Sequence, residues 1–363
     1  MIERNNQQPL YLQIRNDIAD KIDNGSIRIG DKLMSENEMI EFYGVGRVTI
    51  RAALAALVAE GCLKKEHGLG TFCIAKPKML QRPNIDVLLD CNDTYLIPSI
   101  LQGINSIFEA NNCNLLLHDT CCSCETMEML LRKIVERGTN GVIIQYCPNA
   151  EKSENIVKCL NILNTFDVPV VVMCGELTKE CSTLAIDDEY GGRMGCEYLI
   201  DCGHVSLLGV YPKGDFGAEE RLAGAKKVLR KHPGVRFSLL YEDIVSREEF
   251  AANLLGEIGK NGATALLCYN DFYAARCMHV LQEAGLRVPE DVSVIGFDDN
   301  ELSLTVMPQL TTLSHPKDHM GIDAAATILM QIKEKRKLAV STVYRPEVVI
   351  RQTVLNKSDP ERD

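Results

Sequence analysis

The chain has 363 residues, of which 46% are hydrophobic and 25% are charged, and its formal net charge is −11. This length allows two or three domains, and the composition is that of a globular protein with a large buried core. The longest apolar runs are far shorter than the ~20 residues of a membrane-spanning helix. No early segment resembles a signal peptide, so the sequence predicts a cytoplasmic protein without a membrane partner.

The 15 cysteines are an odd number and are scattered without paired spacing. Free thiols in a reducing compartment are therefore a simpler interpretation than a disulfide framework. Only the cluster Cys121-Cys122-Ser123-Cys124 resembles a metal or redox site, and no second pair follows it at zinc spacing. We interpret this cluster as a loop at the protein surface, and the sequence predicts neither a metal ion nor a cofactor.

Residues 1–75 contain three predicted helices followed by a short hairpin. Pro9 opens the first helix, because a missing N–H costs nothing at the first position of a helix. Ser35 can cap the second helix, and the third helix begins near Gly46. The hairpin then follows, with residues 66–70 at its tip.

The third predicted helix has an apolar face and an opposite face of cationic and small side chains. Arg47, Thr49 and Arg51 lie on or near that opposite face. Small neighbours would let this backbone enter a DNA major groove, where an arginine can bind O6 and N7 of guanine. The same pattern also fits an ordinary solvated helix or a protein-docking module, because residues 1–75 carry nine Lys/Arg and ten Asp/Glu.

Residues 9–73 resemble the winged helix-turn-helix domain of GntR-type regulators. The shared motifs are Pro9-Leu10-Tyr11, Leu33-x-Ser35-Glu36, Val45-x-Arg47-x-Thr49-Ile50-Arg51 and Gly68-x-Gly70-Thr71-Phe72. The family usually has proline where Met34 stands and serine where Gly46 stands. The resemblance implies a DNA-binding domain, and its predicted DNA contacts are Ser35, Arg47, Thr49, Arg51, Lys64, His67, Gly68 and Gly70.

From about Ile85 onward, short β-branched runs alternate with helical segments almost to the end of the chain. Continuous apolar strands separated by amphipathic helices predict βαβ units and doubly wound parallel sheets, an α/β fold. Residues 76–84 are basic, contain two prolines and are predicted to form a linker. The predicted domains are therefore residues 1–75 and residues 85–356.

Polar residues follow several of the predicted strands directly. A doubly wound sheet binds ligands at the carboxyl ends of its strands, so these side chains could converge on a hydroxyl-rich ligand. Each one taken alone is equally well explained as a helix cap or a turn residue. The candidates are Asp90–Asp93, Gln145-Tyr146, Asn270-Asp271 and Asp298-Asp299, together with Arg221, which begins a helix motif.

Residues 85–354 resemble the effector domain of LacI/GalR-type regulators, which are similar to periplasmic sugar-binding proteins. The motifs include Asp187-Asp188-x-x-Gly191-Gly192, Arg221-Leu222-Ala223-Gly224, Asn270-Asp271 and residues 285–299. The resemblance implies a two-lobed fold of the type I periplasmic-binding-protein class. The first lobe would contain residues 85–185 and 315–341, and the second residues 186–312 and 343–356.

The same resemblance assigns ligand-binding positions. Arg221, Asn270 and Asp298 match positions that bind sugar hydroxyls, and His315 lies on the connection between the lobes. Cys174 stands where relatives often have an acidic or amide residue, and the chain has no tryptophan to stack on a sugar ring. The predicted ligand-binding residues are Asp93, Tyr146, Cys174, Arg221, Asn270, Asp298 and His315.

Together the two resemblances imply a sequence-specific transcriptional repressor of carbohydrate-utilisation genes, whose operator affinity changes when a sugar binds between the lobes. A homodimer is expected, because a two-fold protein matches the two half-sites of a palindromic operator. The alternatives are a sugar-transport component without a DNA role and a regulator that responds to a nucleoside. An enzyme is not predicted, because the chain lacks paired histidines, a phosphate-binding glycine loop and a nucleophile motif.

Overall fold

A computed structural model of the chain describes residues 9–66, 69–75, 82–90, 96–121, 123–145, 154–175, 178–242, 246–334 and 339–358. The chain divides into two compact units, Met1–Pro83 and Asn84–Asp363. Within the described ranges, no single helix is long and apolar enough to cross a membrane. The bent pair Glu36–Tyr43 and Arg47–Ala59 meets that criterion by length and composition.

The first unit consists of three helices and an antiparallel hairpin. These elements are α1 (Leu10–Asp23), α2 (Glu36–Tyr43), α3 (Arg47–Ala59), β1 (Leu63–Glu66) and β2 (Gly70–Cys73). Apolar residues from all three helices and both strands form its core. The predicted cap of α2 is confirmed, since Ser35 Oγ accepts from the amide of Glu38 while the Glu38 carboxylate accepts from the amide of Ser35.

The first half of the second unit is built on a six-stranded parallel sheet. Its strands are β3 (Asn84–Leu89), β4 (Asn114–Asp119), β5 (Gly141–Gln145), β6 (Val170–Met173), β7 (Ser182–Ile186) and β13 (Ser341–Tyr344). Their order across the sheet is β13-β7-β6-β5-β3-β4. Apolar clusters cover both faces, where the helices are α4 (Ile97–Ala110), α5 (Cys124–Arg137), α6 (Glu154–Thr165) and α12 (Lys317–Glu334). We call this half the six-stranded lobe.

The other half of the second unit is built on four parallel strands, β8 (Ser206–Pro212), β9 (Arg236–Glu242), β10 (Ala265–Cys268) and β11 (Ser293–Ile295). Their order is β11-β10-β8-β9, and a short antiparallel pair, β12 (Thr312–Leu313) and β14 (Val348–Val349), stands beside them. Its helices are α7 (Asp188–Asp201), α8 (Phe216–Leu229), α9 (Arg247–Asn261), α10 (Asp271–Glu283) and α11 (Leu302–Thr305). We call this half the four-stranded lobe. The predicted doubly wound α/β architecture is confirmed.

The final crossing between the lobes comes later than the predicted position between residues 341 and 343. Strand β13 stays paired with β7 up to Tyr344, which lies opposite Ile186. The carbonyl of Tyr344 accepts from the amide of Asp187 at 2.8 Å, and its hydroxyl donates to Asp323 of α12 at 2.6 Å. These bonds anchor the end of the strand in the six-stranded lobe, so the chain crosses only after Tyr344.

Helices α7 and α8 cross with their backbones in contact at two glycines. A Cβ atom on Gly192 would lie 1.8 Å from the carbonyl oxygen of Arg221. A Cβ atom on Gly224 would lie 1.9 Å from the carbonyl oxygen of Glu189. The two helices therefore pack closely at these glycines, and the crossing brings Arg221 beside Asp188.

Gly224→Ala should lower the free energy of unfolding by roughly 1–3 kcal/mol, because the added methyl group forces the two helices apart. Gly256→Ala is the matched control, since Gly256 is also helical and no atom lies within 4 Å of a Cβ there. That change should be neutral or should stabilise the protein by up to about 1 kcal/mol. Urea unfolding of both variants measures the difference, and equal stabilities would contradict the close crossing.

Candidate functional site

The exposed face of α3 presents the two predicted arginines, and both are held by residues in the first turn of α2. Arg47 Nη2 donates to Asn37 Oδ1 at 2.8 Å, and Arg51 Nε donates to Glu36 Oε2 at 2.8 Å. Thr49 lies between them and is partly exposed. The arginine side chains are therefore already oriented before any ligand is bound.

Glu36 also connects α3 to the hairpin. Its second oxygen, Oε1, accepts from Lys65 Nζ at 3.0 Å. The hydrogen bonds from Arg51 and Lys65 lower the pKa of Glu36, so its carboxylate stays ionised well below neutral pH. Lys64, the neighbouring predicted contact, has its Nζ 3.1 Å from Glu66 Oε1. An incoming phosphate or guanine must therefore compete with these carboxylates.

Other predicted DNA-binding residues have structural roles in the first unit. Ser35 Oγ is used as the cap of α2, and Gly46 precedes α3 without a side-chain cap. Gly70 has a φ of +123°, a backbone conformation that side-chain-bearing residues rarely adopt, so this position favours glycine. Val48 is 82% exposed on the arginine face and was not predicted as a contact. His67 and Gly68 lie outside the described residues.

The predicted ligand-binding residue Arg221 is buried in the four-stranded lobe among acidic and aromatic groups. Its Nε donates to Asp188 Oδ1 and its Nη1 to the carbonyl oxygen of Tyr269, both at 2.7 Å. Its Nη2 lies 3.5 Å from Asp298 Oδ1, and its guanidinium carbon lies 3.5 Å from the ring centroid of Phe297. Burial alone would lower the pKa of Arg221, but the two carboxylates outweigh it and raise that pKa.

The loop after β11, which carries Asp298, has an unusual backbone. Asp298 has a φ of 100° and Asp299 a φ of 45°. A residue other than glycine in such a backbone conformation lowers the stability of the folded protein by about 1–3 kcal/mol. Several hydrogen bonds hold the loop in place. The amide of Asp298 donates to the carbonyl of Leu313 at 2.7 Å, and the amide of Asn300 donates to Asp271 Oδ2 at 2.8 Å. Arg351 Nη2 donates to Asp299 Oδ1 at 2.5 Å. Their number explains how the loop can keep this conformation.

Asn270 and Asp271 follow β10, as the sequence indicated, and both begin α10. Asn270 Oδ1 accepts from the amide of Tyr273 at 3.0 Å, so this oxygen caps the helix, which was one of the two interpretations from the sequence. Asp271 is fully buried and also accepts from the hydroxyl of Thr312. Burial and the neighbouring Asp298 raise the pKa of Asp271 to about 8, so its carboxyl group is mostly protonated at neutral pH.

His315 and Cys174 occupy different surroundings. His315 is buried on the connection that leads to α12, and its Nδ1 has no hydrogen-bond partner among the described residues. Burial and the charges of Arg221 and Lys317 lower the pKa of His315 to about 3, so its imidazole is neutral. Cys174 has a φ of 64°, and its Sγ lies 4.0 Å from Met320 Sδ in the six-stranded lobe. The predicted residues Asp93 and Tyr146 lie outside the described ranges.

The structure thus groups Arg221, Asp298 and His315, and it adds residues that the sequence analysis missed. Asp188 belongs to the motif that contains Gly191 and Gly192, and its position in the first turn of α7 was the one sign that could have identified it as a site residue. Lys317 follows His315 by two residues, and no role was predicted for it from the sequence. Both are recognised only from contacts with residues that are distant along the chain.

Comparisons with known proteins find relatives for both units of the chain. The family model for bacterial regulatory proteins of the gntR family matches residues 10–73, and the model for a periplasmic binding protein-like domain matches residues 196–354. The arabinose metabolism transcriptional repressor of Halalkalibacterium halodurans is 30% identical over 361 residues, which cover 94% of this chain and 96% of that repressor. The HTH-type transcriptional repressor PurR of Vibrio vulnificus is 29% identical over 279 residues, covering 74% of this chain and 80% of PurR.

Solved structures share the fold over about three quarters of the chain. A LacI family transcriptional regulator from Enterococcus faecium with bound ribose is 23% identical, with a TM-score of 0.65 over 75% of this chain and 99% of that one. The lac repressor dimer bound to operator and the anti-inducer ONPF is 23% identical, with a TM-score of 0.66 over 76% of this chain and 96% of that one. The chain joins a gntR-type DNA-binding domain to a periplasmic-binding-protein-like domain. It therefore belongs to the family of the arabinose metabolism transcriptional repressors.

Proposed function

We propose that this repressor binds a palindromic operator through α3 and the hairpin of its first unit, and that a sugar bound between the lobes of its second unit lowers the operator affinity. The observation that carries the effector half is the buried group of Arg221, Asp298 and His315, in which Asp298 lies on the loop after the parallel strand β11. Such a repressor acts on DNA, which supports a cytoplasmic location.

The DNA half of the proposal rests on the arginine face of α3. Arg51 donates to Glu36 through Nε, and a guanidinium has further N–H donors that can serve a guanine. Lys64 and Lys65 on β1 are exposed and suit phosphate oxygens, which carry no sequence information. Because Glu36 neutralises part of this charge, non-specific attraction to DNA is kept weak in an already acidic protein.

The effector half rests on complementary hydrogen-bonding groups. The carboxylate of Asp298 accepts from hydroxyl groups, the guanidinium of Arg221 donates to them, and the neutral imidazole of His315 can do either. A ligand with several hydroxyl groups satisfies all three at once, which favours a sugar. The names of the relatives, one concerned with arabinose metabolism and one solved with ribose, point to a pentose. Asn270, Cys174, Asp93 and Tyr146 complete the proposed site.

We propose no catalytic role for this site. The imidazole of His315 stays neutral down to about pH 3, and Arg221 is held by Asp188, so neither is arranged to transfer a proton to or from a bound substrate. The relatives are transcriptional repressors, which agrees with a binding function. Turnover of a bound sugar by the purified protein would contradict this proposal.

The preference for one DNA sequence should depend on Arg51. Arg51→Ala should weaken operator binding by roughly 1–3 kcal/mol and reduce the preference over unrelated DNA, because a base contact is lost. Lys64→Ala should weaken binding to the operator and to unrelated DNA about equally, because phosphates are the same in every sequence. Fluorescence anisotropy measures the affinity of each variant for an operator selected from random duplexes and for unrelated DNA. An unchanged preference in Arg51→Ala would show that α3 does not read bases.

A sugar panel tests the effector half. A pentose present at about 100 times its dissociation constant should add about 2.7 kcal/mol to the stability of the protein, which a thermal melt detects. Asp298→Asn keeps the size of the side chain and tolerates a positive φ, but should weaken that sugar about tenfold or more, because a charged acceptor is lost.

Asp318→Asn, an exposed change of the same kind in α12, is the control and should respond like the wild-type protein. A response to a nucleoside and to no pentose or hexose would replace the sugar with the alternative ligand class. A normal sugar response in Asp298→Asn would remove Asp298 from the site.

A homodimer is the third part of the proposal, since a two-fold protein matches a palindrome. Apolar side chains are exposed on and after α11, where Leu304 is 51% exposed and Met307 is 78% exposed. Such side chains suit a protein interface better than water. Sedimentation equilibrium at operator-binding concentrations should therefore give twice the chain mass of 40.3 kDa. A monomer that still protects both half-sites would contradict this part.

A further inference from the structure

Lys317 stands where a helix disfavours a cation. It is the first residue of α12, an 18-residue helix whose N-terminus carries partial positive charge. The side chain is nevertheless partly buried rather than turned out to water. A residue that violates a local preference in this way is expected to be compensated elsewhere in the structure.

The compensation comes from the loop that presents Asp298. Lys317 Nζ donates to the carbonyl oxygen of Asp298 at 3.1 Å and to that of Asp299 at 2.7 Å. These are the two consecutive residues with positive φ, so the ammonium group stabilises an otherwise unfavourable backbone. Both acceptors belong to the main chain, so the contact reports the position of the loop and not the rotamer of a side chain.

The other end of Lys317 is anchored in the six-stranded lobe. Helix α12 crosses α4 with backbone contact, because a Cβ on Gly103 would lie 2.7 Å from the carbonyl oxygen of Asp318. A Cβ on Gly321 would likewise lie 2.2 Å from the carbonyl oxygen of Ile100. The first turn of α12 therefore cannot shift without moving α4. The ammonium of Lys317 forms a direct bond between this rigid pair and the loop of the four-stranded lobe.

We propose that Lys317 is a positioning residue that holds Asp298 for the effector and transmits effector binding to the six-stranded lobe. The inference rests on the proposed function of Asp298. A hydroxyl group that binds the Asp298 carboxylate competes with Arg221 and displaces the strained loop. Two carbonyls of that loop accept hydrogen bonds from Lys317, so the displacement of the loop also moves the start of α12. Because α12 crosses α4 with backbone contact, α4 moves with it.

Full-length Lys317→Met tests the positioning role without any effector. It keeps the length of the side chain and removes the ammonium. The amides of Asp298 and Asn300, which are bonded to Leu313 and Asp271, should exchange hydrogen about tenfold faster in this variant. Lys317→Arg should restore slow exchange. Lys333→Met, an exposed lysine in the last turn of the same helix, should match the wild-type protein. Unchanged exchange in Lys317→Met would overturn the proposal.

Calorimetric titration with L-arabinose and with D-ribose tests in the same variants whether holding Asp298 matters for the effector, and the change in hydrogen exchange of the α4 amides when the sugar binds tests transmission. For the sugar that binds the wild-type protein, the dissociation constant should rise about tenfold in Lys317→Met and recover in Lys317→Arg. Faster exchange with an unchanged dissociation constant would reduce Lys317 to a structural role and overturn the proposal. If neither sugar binds the wild-type protein, the pentose assignment fails, and the exchange result alone decides whether Lys317 positions the loop.

Discussion

Burying the guanidinium of Arg221 removes a permanent charge from water, which is tolerated only where other groups replace its hydration. Those groups come from three separate elements: Asp188 at the start of α7, the carbonyl of Tyr269 after β10 and Asp298 after β11. The arginine can meet them only because α8 touches α7 at paired glycines. The geometry of the four-stranded lobe and of its proposed ligand-binding edge therefore depends on one buried cation.

The proposed DNA-binding surface holds its arginines in the opposite way. Arg47 and Arg51 are exposed, and their partners Asn37 and Glu36 orient them without burying them. An exposed ion pair contributes little to stability, so its partners can be exchanged for phosphate or guanine at small cost. The buried arginine group is suited to hold a defined conformation, whereas the exposed one is suited to change partners.

Patterns within one segment were enough to predict the main elements. The apolar runs of β3, β5 and β6 identified strands buried on both faces, and Ser35 as a predicted cap identified the start of α2. The boundary after β13 was placed too early, because Tyr344 is retained by a bond to Asp323 that no local pattern reveals. Asn270 matched two interpretations from sequence, and its cap to Tyr273 became visible only in the structure.

The sequence by itself determined the α/β class, the two resemblances and the residue types at the strand ends, because periodicity and motifs are properties of neighbouring residues. The tertiary structure decided which of those residues meet. Asp188 is 33 residues from Arg221, and Lys317 is 18 residues from Asp299. The burial that makes His315 neutral and Asp271 mostly protonated likewise depends on everything packed around them. Such contacts and dielectric effects arise only when distant segments are brought together, so no reading of one segment could supply them.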